Sequence, residues 1–137
     1  MVTQSRKWVW ILVCVLWMGM IFYHSLQIAE VSSQASTGLL LKLRHFFPWL
    51  TEPVLRKLAH FAEFGMFGLL ISNASISFSG QLLWGLCTAL TDETIQLFVP
   101  GRSGEIRDVW IDFSGVFLAC SVVLLLFSIF RRRKRRA

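Results

Sequence analysis

The sequence predicts an all-α integral membrane protein: a four-helix bundle with both termini in the cytoplasm and an amphipathic helix on the outer interface between spans 1 and 2. Three observations predict it. Of 137 residues, 55% are hydrophobic and 16% charged, more apolar surface than the core of so small a globule can hide. Four windows, about 8–25, 56–78, 81–99 and 108–130, reach or approach the roughly 17–25 residues that cross about 30 Å of hydrocarbon. The formal net charge of +6 equals the basic run at 131–136, the other eight Lys and Arg cancelling the eight Asp and Glu. Basic residues beside a membrane helix favour the cytoplasmic side. The run at 131–137 is therefore expected as a cytoplasmic tail, with the whole of 1–137 one membrane domain.

The first window follows Arg6 and Lys7, as a signal sequence would. No small-x-small cleavage site follows it, and Trp8, Trp10, Trp17 and Tyr23 suit a retained helix with aromatic anchors. It is read as a span that continues through His24 and Ser25. The next segment is not a plain loop. Ser36 or Thr37 caps a short helix with Leu39, Leu40, Leu41, Leu43, Phe46 and Phe47 on one side and Lys42, Arg44 and His45 on the other. Pro48 ends it, and its two-faced character places it along the lipid interface.

Thr51-Glu52-Pro53 supplies an N-cap, an acid in the first turn and an early proline, the start signals of the second helix. That helix carries Lys57, His60 and Glu63 at three-residue steps, so all three share a face. The third ends in Thr91-Asp92-Glu93-Thr94-Ile95-Gln96, with Glu93 and Gln96 on one side. The turn Val-Pro-Gly-Arg102-Ser-Gly leads to Arg107-Asp108, and Asp112 lies one turn further along the fourth helix.

All eight acidic residues then fall on the outer side. Lodging six or more polar groups separately in lipid is unfavourable, because each costs about 2.5–3.5 kcal/mol on insertion scales. Convergence into one shared pocket is the less costly arrangement. Gly65, Gly68, Gly85 and Gly115 allow the helices to close around it. An alternative stays open, in which Arg102 and Arg107 pair with Asp108, Asp112 and Glu93, and Lys57 with Glu63, simply to hold helix register.

Cys14, Cys87 and Cys120 lie in apolar windows and form no CxxC pair, so they act as small hydrophobes. The basic tail is read as an anchor to anionic lipid, with no nucleic-acid partner.

Three separated motifs carry a family resemblance: Lys57-x-x-His60-Phe61-x-Glu63-Phe64-Gly65, then Asp92-Glu93-x-x-Gln96-x-x-x-Pro100-Gly101-Arg102, then Asp108-x-x-x-Asp112-x-x-Gly115. Together they resemble the VanZ-like family over nearly the whole chain. The run Phe22-Tyr23-His24-Ser25-Leu26-Gln27, with Ser33 and Ser36 beyond it, is similar to that family's first-span exit. Position 112, Asp here, is more often Asn in the family. The resemblance implies a multi-pass protein of the bacterial plasma membrane, connected with envelope chemistry and with resistance to the glycopeptide teicoplanin. It supplies no accepted reaction.

The ligand-binding set expected from these readings is Lys57, His60, Glu63, Glu93, Gln96, Arg102, Asp108 and Asp112. It would take a membrane lipid or lipid-linked wall precursor, Arg102 offering a bidentate guanidinium and the fourth helix's first amides favouring an anion. A catalytic alternative makes His60 the acid or base, tuned by Glu63 or Glu93, with Asp108 as a further candidate. No Gly-x-Ser-x-Gly nucleophile elbow is present. A metal set of His60, Glu63, Glu93 and Asp108 lacks the paired Glu-x-x-His spacing, so neither metal nor cofactor is expected. A proton- or ion-relay reading would need a homo-oligomer to complete a path.

Overall fold

A computed structural model describes residues 4–27, 37–74 and 76–136. The described residues are all-α. Helix α1 is Gln4–Ser25, residues 37–43 form the short α2, α3 is Glu52–Ile71, α4 is Phe78–Gln96 and α5 is Ile106–Arg136.

The start of α3 follows its sequence signals. Thr51 is the N-cap in an extended conformation, Glu52 opens the first turn and a proline follows. The Thr51 side chain makes no capping hydrogen bond. Helix α3 stops at Ile71, short of the 78 expected for its window. Ser72 and Asn73 explain this: their side chains bond back to the carbonyls of Gly68 (2.8 Å) and Leu69 (2.9 Å), the local competition by which short polar residues end helices. Ser77 then caps α4, its hydroxyl accepting from the Gly80 amide at 3.3 Å.

The helix expected to run up to Pro48 is shorter, ending at residue 43 with turns beyond it. Phe46 and Phe47 therefore stand beyond the helix rather than on its face, both exposed. Leu40 docks instead with Leu50 and Leu55, Leu43 packing beside them. The Ser36 cap and Ser33 lie outside the described residues. The basic run 131–136 continues α5 as its final turns, because Arg and Lys are good helix formers with no proline or glycine to interrupt them.

Packing centres on α5, which lies against both α3 and α4, while α1 closes over α3 and α4. The core joins Ile21 of α1, Phe64 and Phe67 of α3, Ala89 of α4, and Val109 and Val116 of α5. Glycines set the close approach. A Cβ on Gly68 would lie 2.9 Å from both the Ala119 Cβ and the Val116 carbonyl, and one on Gly85 would lie 2.6 Å from a Val116 methyl. One on Gly115 would collide with the Phe61 carbonyl. These are the small-residue contacts that let apolar helices pack backbone to backbone.

The outward faces stay apolar. Val9, Leu12 and Leu16 on α1, Leu58 and Met66 on α3, Leu83 and Trp84 on α4, and Leu118 and Leu125 on α5 are all exposed. Two stretches, Arg6–Ser25 and Ile106–Arg135, are long and apolar enough to cross a membrane by length and composition. Helices α3 and α4 are similar in length, 20 and 19 residues, but carry the polar groups of the site.

Candidate functional site

The end of α1, the start of α3, the end of α4 and the start of α5 meet at one end of the bundle. Up-and-down connectivity makes this unavoidable, and the contacts fix it. On one flank, His24 Nδ1 lies 2.7 Å from Glu63 Oε1. On the opposite flank, Lys57 Nζ donates to Asp108 Oδ1. Between them the buried centre is acidic.

Asp92 is fully buried, and its two oxygens are held from different helices. Ser25 of α1 donates to Oδ1 at 2.5 Å, and Gln96 of α4 donates to Oδ2 at 3.0 Å. Gln96 also reaches Glu93 at 3.2 Å. Glu93 accepts the Glu105 amide at 2.8 Å, which ties the connecting turn down onto α4. Gly101 lets that turn reverse, with φ 77, a conformation costly for residues that carry a Cβ. His60 faces the centre, its Nδ1 3.9 Å from Asp92 Oδ2 and equally 3.9 Å from Asp112 Oδ1. Both distances are too long for a hydrogen bond. Asp112 is 1% exposed, and neither of its oxygens has a hydrogen-bond partner among the described residues.

A cavity of about 10 Å³ opens here, lined by Arg56, Lys57, His60, Glu93, Gln96, Asp108, Ile111 and Asp112. That is room for about one water or one ion. A larger headgroup does not fit inside it and would have to sit at its mouth. Arg102 is half-buried in the turn above. Its burial, followed by the nearby Arg56 charge, lowers its pKa from the usual arginine range, while Asp92, Glu93 and Glu63 act the other way.

Of the residues expected from the sequence, Lys57, His60, Glu93, Gln96, Asp108 and Asp112 line this one cavity. Glu63 does not; it turns aside to His24. Arg102 stays within electrostatic reach of the acids. The metal set considered for His60, Glu63, Glu93 and Asp108 is not the grouping the fold makes. His60, Asp92 and Asp112 are the three that come together, offering one ligand atom each within 4.8 Å of one another. Asp92, Ser25 and His24 were missed as site residues. Asp92 sits four positions before Gln96, the spacing that puts both on one helical face, and that signal could have found it. For Ser25 and His24 the signal was the run Phe22–Gln27, similar to the family's first-span exit, though periodicity alone does not set the register of α1.

No curated protein and no solved structure matches the chain. A family model described as VanZ/LLP1 matches residues 10–131. Together with the two apolar helices, the match marks a membrane protein. The motifs that build the site lie inside the matched region, and the chain belongs to the VanZ/LLP1 family.

Proposed function

We propose that this protein crosses the plasma membrane four times, termini inside, and binds a lipid or lipid-linked headgroup at the outer leaflet through its polar end. The observation that carries the reading is the convergence of four helices on one charged cluster within a bundle whose outward faces are apolar. Ionisable groups inside apolar helices are costly and point to function. The basic run closing α5 supports a cytoplasmic end, and in this reading the site faces the outer side. The anionic part of the headgroup is taken at the mouth of the cavity by Arg56, Lys57 and Arg102. Guanidinium groups suit phosphate because they donate in a planar fork. Asp108 holds Lys57 in place through their ion pair. Through this capture of a wall-linked lipid the protein contributes to glycopeptide (teicoplanin) resistance.

A second reading has one observation behind it. His60 is presented between two carboxylates without being hydrogen-bonded to either. An imidazole left free in this way can serve as acid or base toward a bound lipid-linked substrate.

Native mass spectrometry of gently extracted protein tests the binding reading. A discrete lipid adduct is expected on the wild type and lost in Arg102→Ala and Asp108→Ala, with loss of any protection against teicoplanin in a sensitive host. Identical adducts and identical sensitivity in all three proteins, at equal membrane levels, would reject it.

A further inference from the structure

We propose that His60, Asp92 and Asp112 form a binding site for one divalent cation of the zinc or manganese type. Three observations point there independently. The first is geometric. One atom from each of the three side chains lies within 4.8 Å of the other two, and His60 Nδ1 is 3.9 Å from an oxygen of each carboxylate. Ligands about 2.1 Å from a tetrahedral ion are about 3.4 Å apart. An inward shift of about half an ångström at each His60 edge, and of up to about 1.4 Å between the two carboxylates, closes the site around an ion.

The second is the state of the side chains. Asp112 is 1% exposed with both oxygens unpartnered among the described residues, and His60 Nδ1 is buried and unpartnered too. A buried carboxylate without a partner is unfavourable, and buried charges are normally paired or bound to metal. Asp92 differs in an instructive way. Ser25 and Gln96 each donate to it, and a carboxylate oxygen that accepts one bond keeps capacity for another. Ligating carboxylates are oriented by such outer hydrogen bonds. The cavity beside His60 and Asp112, about 10 Å³, is on the scale of one water or ion.

The third is charge balance. Glu63, Asp92, Glu93, Asp108 and Asp112 act on one another here, against the permanent cations Arg56, Lys57 and Arg102. Were all five carboxylates ionised and the histidines neutral, two negative charges would be left over, and one divalent cation would cancel them. An imidazole with two carboxylates suits zinc, manganese or ferrous iron better than calcium or magnesium, which favour all-oxygen shells.

The test uses full-length, tag-free protein in mild detergent, stripped with a chelator and then dialysed against zinc or manganese alone. About one equivalent per chain is expected to survive buffer exchange, and cobalt in its place is expected to give visible d–d absorption. Asp112→Asn keeps the side chain's shape and should weaken binding by about tenfold or more. His60→Gln should do likewise and serves if Asp112→Asn does not fold. His45→Ala, on an exposed turn, should keep full occupancy. Wild-type protein that retains no metal above the chelator-treated background overturns the proposal. So does a folded Asp112→Asn or His60→Gln variant that still holds a full equivalent. No lipid enters this measurement, so its failure and that of the headgroup reading are told apart.

Discussion

Ser25→Ala probes how α1 is fastened to the site. The Ser25 hydroxyl is fully buried and donates at 2.5 Å to an equally buried Asp92. Removing it leaves Asp92 Oδ1 without that donor, while Gln96 still holds Oδ2 at 3.0 Å. Hydrogen bonds to charged groups contribute about 1.5–3 kcal/mol. Polar contacts between membrane helices measure lower, about 0.6 kcal/mol on average and 1.7 at most. For a short, fully buried contact a value between the membrane average and the charged-group range gives a loss of about 1–2 kcal/mol. The assay is reversible unfolding of the protein in mixed micelles by titration with SDS, followed by tryptophan fluorescence. Ser25→Ala, Asp92→Asn and the double variant complete a thermodynamic cycle. The coupling energy should reach about 1 kcal/mol, above the roughly 0.5 kcal/mol within which independent sites add. A Ser25→Ala cost below about 0.3 kcal/mol, or single-variant costs that simply add, would refute the reasoning.

Two further predictions concern packing and topology. Gly68→Leu should cost about 1–3 kcal/mol in the same titration, because its first added carbon already meets Ala119 and Val116 at 2.9 Å. Gly19→Ala, with nothing within 4 Å, should be neutral or stabilising by up to about 1 kcal/mol; equal costs for both would show that the α3–α5 contact does not limit stability. Alkaline phosphatase fused after Ser103 should be active in a bacterial host and inactive when fused after Arg136, and the reverse pattern would invert the proposed orientation.

Much of the site was legible along the chain because three of its helices announce their own faces. Lys57 and His60 share a helical stripe, and Asp108 and Asp112 share another, so each pair turned inward together. The glycines expected at helix contacts do lie there: Gly68, Gly85 and Gly115 each leave space that a neighbour fills. Glu63 shows where one-dimensional reading fails. It lies on the same stripe as His60, yet α1 passes close enough for His24 to draw it away from the centre. Periodicity orders residues around a single helix and says nothing about which neighbour stands opposite.

The neighbouring acids of α4 make the same point. Successive residues on an α-helix differ by about 100°, so the sequence favours neither Asp92 nor Glu93 as the inner carboxylate. In the fold both are buried for different purposes. Asp92 meets Ser25 and faces His60, while Glu93 anchors the turn through the Glu105 amide.

Composition, apolar windows and caps were enough to determine an all-α membrane chain and to put the polar residues of three helices at one end, because hydrophobic burial and backbone hydrogen bonding act locally along the sequence. Only the tertiary structure decided that His60, Asp92 and Asp112 are the three that meet, and that Asp112 has no hydrogen-bond partner among the described residues. Those outcomes depend on the rotation and register of whole helices, set by glycine contacts and by the packing of Ile21, Phe64 and Val116, which no single segment encodes.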